Sequence, residues 1–264
     1  MYRATLKKCA EMPLLMTSRF RRLPDFLMIG AQKSGTTSLF SYLTEHPQVL
    51  SNPLNYKEIY FFNKTYERGL NFYKHYFPLN FWKGLVGEAS TTYLHSQKAP
   101  QRVSKDLPSA KLIVILRDPV ERAISHYYHH VKRGREARSI DDAFSLEIIE
   151  QFNAGELEDS LSFRYLHNGD YGVHLEQWLK YFNATQLYIG NAEDLFSDPQ
   201  SEFDQVCDFL EIERQQMARF SVQNKGMNKS HNSEILLRLR EFYKPKVMHL
   251  NSLGLGTLDW EHYE

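Results

Sequence analysis

The sequence predicts a three-layer α/β fold, a central parallel sheet flanked by helices, and three observations lead there. Short apolar runs alternate with helix-like patterns along the chain. The two strongest runs, Phe26 to Ile29 and Leu112 to Leu116, have no polar residue inside them. No repeat, low-complexity tract or Pro/Gly-rich linker divides the 264 residues. Strands buried on both faces read as unbroken apolar runs, and alternation with helices is the pattern of a parallel sheet.

The elements follow in order. Residues 1–25 read as an N-terminal lead-in and residues 26–264 as a single domain. Phe26-Leu27-Met28-Ile29 is a buried strand ending at Gly30. From Thr36 to Glu45, Leu39, Phe40 and Leu43 fall at helical spacing, and the pattern stops before His46-Pro47, because a residue preceding proline is pushed out of the helical region. Leu85 to Gly87 is a short strand, Gln97 to Leu107 a helix, and the β-branched run Lys111 to Leu116 a strand inside the sheet. Asp118-Pro119 then supplies an N-cap and a first-turn proline. The helix they open runs through Val120, Ala123, Ile124 and Tyr127. Further helices are expected over 140–152, 171–182, 199–210 and 233–250, and a strand at Leu187-Tyr188-Ile189.

Composition narrows the function classes. Lys plus Arg and Asp plus Glu number 32 each, so no net field favours nucleic acid, and any anion site must be local. Cys9 and Cys207 lie far apart, and Cys207 falls on an apolar helical face with Phe203, Val206 and Leu210, which reads as a buried thiol. The eleven histidines are scattered without metal-ligand spacing, so no metal is expected. The apolar patch from Met12 to Met16 is too short for a bilayer span or a signal core, and the expected location is cytoplasmic. Asn-x-Ser/Thr triplets at Asn63, Asn183 and Asn228 do not outweigh that.

Gly30-Ala31-Gln32-Lys33-Ser34-Gly35-Thr36-Thr37-Ser38 is the most informative stretch. Its glycines have the G-x-x-x-x-G spacing of a phosphate-binding loop between a strand and a helix, which makes the fold P-loop-like. Backbone N–H groups at such a loop and helix start cradle tetrahedral anions. A triphosphate loop carries lysine directly after the second glycine. Here that position is Thr36, and the lysine sits inside the loop at Lys33, which suits an anion other than a magnesium-bound triphosphate. Arg117 stands at the carboxyl end of the second strong strand, with Ser125 two turns into the following helix and Arg122 and Arg133 nearby. Open parallel sheets bind ligands at that edge, and a guanidinium with a hydroxyl receives a terminal phosphate.

These two segments resemble those of the PAPS-dependent sulfotransferases, where PAPS is 3′-phosphoadenosine-5′-phosphosulfate. Gln32 to Ser38 is similar to the family's 5′-phosphosulfate loop, and Leu116 to Ser125 to its 3′-phosphate segment. Lys57-Glu58-Ile59-Tyr60-Phe61-Phe62, residues 171–182 and residues 239–245 are similar to the heparan sulfate (glucosamine N-/3-O-) branch. The sequence departs from that branch at Ala89, where the branch carries lysine, and lacks a cysteine pair near Lys225.

The resemblance implies that Lys33, Ser34, Gly35, Thr36, Thr37 and Ser38 hold the 5′-phosphosulfate, with Lys33 also acting catalytically on the leaving phosphate. Arg117 and Ser125 hold the 3′-phosphate, Lys229 is a further cofactor contact, and Glu58 is the general base, with Glu88 and His95 in reserve. The expected reaction moves a sulfuryl group from PAPS, without metal, by in-line displacement onto a hydroxyl or amine of a sugar-like or other small acceptor, leaving 3′-phosphoadenosine-5′-phosphate (PAP). Tyr60, Phe61, Phe62, Tyr93 and Tyr127 are candidates to stack on that acceptor. The resemblance adds the Golgi lumen as an alternative location if an anchor was removed. Two rival functions share the phosphate loop: a nucleotide or small-molecule kinase, and a non-enzymatic adenosine-phosphate-binding module.

Overall fold

A computed structural model of the chain describes residues 13–53, 56–157, 160–217, 233–256, 258, 260 and 262–263. Five parallel strands form one sheet: β1 (Phe26–Gly30), β2 (Val49–Leu50), β3 (Leu85–Ala89), β4 (Lys111–Leu116) and β5 (Leu187–Asn191), in the spatial order β2-β3-β1-β4-β5. β1 takes the centre, with Phe26 level with Gly87 on one side and Lys111 on the other. β4 lies inside the sheet, between β1 and β5.

Both faces of the sheet are covered, and side-chain alternation shows it. Leu27 and Ile29 of β1 and Leu112, Val114 and Leu116 of β4 enter one core, while Phe26, Met28, Ile113 and Ile115 enter a second. The first core is closed by α3 (Ala99–Asp106), α4 (Pro119–Lys132), α7 (Leu161–His167), α8 (Tyr171–Leu179) and α11 (Ser233–Ser252). The second is closed by α1 (Thr36–Glu45), α9 (Ala192–Ser197) and α10 (Pro199–Leu210), where Cys207 is fully buried. Each fully buried large apolar side chain stabilises the fold by about 1.5–3 kcal/mol, so this two-sided burial holds the strand tips rigidly.

Sequence-derived boundaries of β1, α1, β4 and α10 agree with the structure, and Asp118 caps α4 by accepting the Glu121 amide. The helix expected over 140–152 is instead two, α5 (Ile140–Ala143) and α6 (Leu146–Asn153). Ser139 caps the first and Ser145 the second, each accepting an amide three residues on, and serine at such a position competes with helix continuation. The helix expected over 171–182 ends at Leu179. A π-helical turn at Phe61–Thr65 and the short helix α2 (Leu70–Lys74) join β2 to β3.

Candidate active site

The carboxyl ends of β1, β3 and β4 lie side by side, and their loops build the site. After β1 the chain passes through Lys33 and Gly35, both left-handed at φ 74° and 80°. Gly35 fits because a Cβ there would stand 2.8 Å from the Phe196 ring and 3.0 Å from Leu195 of α9. Thr36 opens α1, so the helix's unsatisfied N–H groups and its positive dipole end face the loop. Ser34, Thr36 and Ser38 are buried, whereas Lys33, Gly35 and Thr37 are half-exposed. The Ser34 hydroxyl oxygen is buried without a hydrogen-bond partner among the described residues. A buried hydroxyl free to donate, beside the amides of a helix start, fits a phosphosulfate.

Arg117 closes the other side. Its Nη1 donates to the main-chain oxygen of Lys33 at 3.4 Å, and its Nη2 donates to Glu121 Oε2 at 3.0 Å. Nε lies 3.8 Å from Glu193 Oε1, and the guanidinium sits 5.6 Å from the Phe196 ring centroid. Tyr171 donates to the Arg117 main-chain oxygen at 2.9 Å, fixing the strand tip. Ser125 is half-buried on α4. One turn on, His129 is held down to about 4 by burial and by the charge of Lys33. Arg122, expected near the anion, is instead wholly buried and donates to the Tyr165 main-chain oxygen. Its long side chain runs inward because residue 122 falls on the core-facing stripe of α4 with Val120, Ala123 and Ile124.

Glu58 reaches the same edge from the segment before the π-helical turn. Its backbone is left-handed at φ 58°, and its amide donates to the Ala89 main-chain oxygen at 2.8 Å. Thr91 holds the carboxylate twice, through its hydroxyl at 2.6 Å and its amide at 3.1 Å. Burial raises the Glu58 pKa, and the Thr91 bonds partly oppose that. Lys57 Nζ donates to the Thr37 main-chain oxygen at 3.1 Å, tying the Glu58 segment to α1. Tyr60 is pushed up to about 12 by burial and by the Glu58 carboxylate. A half-buried carboxylate beside a cationic loop can accept a proton from an incoming nucleophile.

Two further candidates point elsewhere. Glu88 is fully buried and accepts from three hydroxyls, and His95 packs near His174 at 6.1 Å between ring centroids. Phe61, Phe62, Tyr93 and Tyr127 belong to the core, leaving Tyr60 as the half-buried ring of that group. Lys229 and Asn228 lie outside the described residues. Sequence reasoning missed Thr91, Lys57, Glu121 and Glu193; the signal for Thr91 was its place two residues beyond β3, on the ligand-binding edge.

Comparison with known proteins identifies the family. The sulfotransferase domain family matches residues 23–247. Human bifunctional heparan sulfate N-deacetylase/N-sulfotransferase 3 is 40% identical over 203 residues, covering 72% of this chain and 22% of that protein. Human heparan sulfate glucosamine 3-O-sulfotransferase 3A1 is 31% identical over 272 residues, covering 94% of this chain and 65% of that protein. The chain therefore spans about a fifth of the bifunctional relatives' length. The crystal structure of a sulfotransferase from Alicyclobacillus acidocaldarius superposes with a TM-score of 0.70 at 27% identity, over 90% of this chain and 98% of that one. Among the described residues no helix is long and apolar enough to cross a membrane.

Proposed function

This chain belongs to the sulfotransferase family, and from that membership we propose that it moves the sulfuryl group of PAPS to a hydroxyl or amine of a heparan-sulfate-like saccharide, with Glu58 as base. The observation that carries the reading is that the Lys33 loop is joined to Arg117 on one side, while the start of α1 is joined through Lys57 to the segment that carries Glu58. A donor with anions at both ends of an adenosine needs two cationic receptors within one molecule's length. Lys33, Ser34, Gly35, Thr36, Thr37 and Ser38 would hold the 5′-phosphosulfate, and Arg117 with Ser125 the 3′-phosphate.

The bound donor supplies the sulfuryl group and a phosphate able to leave. The residues do the rest. Glu58 takes the proton released when the acceptor oxygen or nitrogen bonds to sulfur, so that one S–O bond forms (S–N for an amine) as the bridging S–O bond breaks. Positioned general bases contribute roughly 100- to 10,000-fold. Lys33 and the α1 amides would stabilise the oxygen on which negative charge builds, the electrostatic contribution that is usually largest. The saccharide class rests on relatives at 31–40% identity whose names specify heparan sulfate. It is tested by incubating the protein with labelled PAPS and N-desulfated heparan oligosaccharides. Label in the saccharide supports the reading; label only in small alcohols or phenols overturns the acceptor class.

A further inference from the structure

The segment that carries Glu58 is conformationally unusual. Glu58 and Tyr60 are both left-handed, at φ 58° and 59°. Side chains avoid that region unless the surroundings over-determine it, and four contacts do so here. The Glu58 amide donates to Ala89, and Thr91 holds the Glu58 carboxylate. The Tyr60 amide donates to Ser90 Oγ at 3.0 Å, and the Phe62 amide donates to the Tyr93 hydroxyl at 3.3 Å.

Two of those acceptors are hydroxyls, and a hydroxyl is aimed by where its own proton goes. Both protons go to one place. Ser90 and Tyr93 donate to Glu88 Oε1, Tyr93 at 2.8 Å, and Tyr73 donates to Glu88 Oε2. Tyr73 in turn stacks on Phe61, with ring centroids 4.4 Å apart. Glu88 is 2% exposed and burial lifts it to about 7, so its place in the core is costly unless its acceptor oxygens are needed. They are: with the three hydroxyl donors gathered around it, no apolar residue could satisfy them.

We infer that Glu88 is a positioning residue for Glu58. It orients the Ser90 and Tyr93 hydroxyls, these hold the Tyr60 and Phe62 amides, and the amides fix the turn that delivers the Glu58 carboxylate to Thr91. The inference rests on the proposed role of Glu58 as base.

The test compares wild type with Glu88→Ala, Glu88→Gln and the double variant Ser90→Ala/Tyr93→Phe, which reaches the same contacts if Glu88→Ala fails to fold. Three quantities are read: amide exchange in the peptide spanning 57–64, affinity for PAP by calorimetry, and kcat and KM with labelled PAPS and an N-desulfated heparan oligosaccharide. Expected for Glu88→Ala and the double variant is exchange at Tyr60 and Phe62 faster by about tenfold, the scale of a local opening. Exchange in β1 and β4 and PAP affinity stay at wild-type levels. kcat falls by up to about 100-fold, the cost of misplacing a reacting group by an ångström, while KM changes little. Glu88→Gln restores most of kcat, since its amide oxygen accepts from Ser90 and Tyr93 and its NH₂ donates to Tyr73. Unchanged exchange at Tyr60 and Phe62 in the double variant overturns the inference, as does a Glu88→Gln enzyme as impaired as Glu88→Ala. If wild type leaves the oligosaccharide unlabelled, the acceptor reading fails, while exchange and PAP affinity still decide the role of Glu88.

Discussion

Arg117 donates from Nη1 to the main-chain oxygen of Lys33 at 3.4 Å, so two residues 84 apart in sequence form one wall of the site. The guanidinium is held on its other sides by Glu121 at 3.0 Å and Glu193 at 3.8 Å. Two carboxylates partly neutralise it, yet they also fix its plane, and a planar fork with its orientation set is what bidentate phosphate recognition requires.

Arg117→Ala should therefore weaken PAP binding. Losing a charge-assisted contact costs about 1.5–3 kcal/mol, or roughly 10- to 150-fold in Kd, read by calorimetry. Arg117→Lys should restore little of it, because an ammonium cannot bridge Lys33 and Glu121 with one rigid group. A lysine variant that binds PAP like wild type would show that charge alone is sufficient.

Glu58→Gln should leave PAP affinity intact and lower kcat by roughly 100- to 10,000-fold. The pH dependence follows from the direction of the pKa. A base works when deprotonated, so the rate falls on the acid side, and burial raises Glu58, placing that fall above the ordinary glutamate range. The Thr91 hydroxyl pulls the pKa down. Thr91→Val should consequently move the acid limb to higher pH, visible in kcat measured from pH 5 to 8.

How much of this could be read from sequence depends on how local each contact is. β1 and β4 were legible because burial on both faces leaves unbroken apolar runs, and the loop from Gly30 to Ser38 because its parts are consecutive. Glu58 entered through resemblance alone. Its partner Thr91 lies 33 residues away, and the two meet only because the Glu58 amide bonds to the Ala89 main chain at the end of β3. The burial of Arg122 was misread for the same reason: its acceptor, the Tyr165 main chain, is 43 residues distant. Phe61 and Phe62, two residues at the start of a five-residue π-helical turn, are too few to display any period.

Gly35→Ala should damage the anion site through the backbone. The residue sits at φ 80°, and the new methyl would meet the Phe196 ring at 2.8 Å. A left-handed non-glycine residue costs about 1–2 kcal/mol before any clash. The thermal midpoint should drop, and PAP should no longer raise it, since stabilisation by a ligand scales with its affinity. A variant that PAP still stabilises as it does wild type would mean the loop tolerates a side chain at this turn.

Acid should unfold the protein in two regimes, because buried histidines and buried carboxyls oppose each other. Burial lowers His126 and His174 well below 6.5 and His95 to about 3. For these the unfolded chain binds protons first, so the stability they contribute is present above pH 6.5 and is lost as pH falls toward their folded values. Glu88 and Glu202 run the other way. Their folded pKa values of about 7 exceed the ordinary 4.5, so the folded state binds their protons first and gains stability as pH falls from 7 to 4.5. Between those limits the two sets partly cancel. Below 4.5 the carboxyl contribution is complete, while His95 continues to favour the unfolded chain, by up to about 1.4 kcal/mol per pH unit. Glu136, held to about 2 chiefly by hydrogen bonds from Arg138, adds to the loss. The thermal midpoint should thus change little from pH 7 to 5 and fall steeply between 4.5 and 3. His95→Gln removes one of these proton acceptors and should shift the steep region to lower pH in scanning calorimetry; an unshifted midpoint would show that His95 is not held neutral by its surroundings.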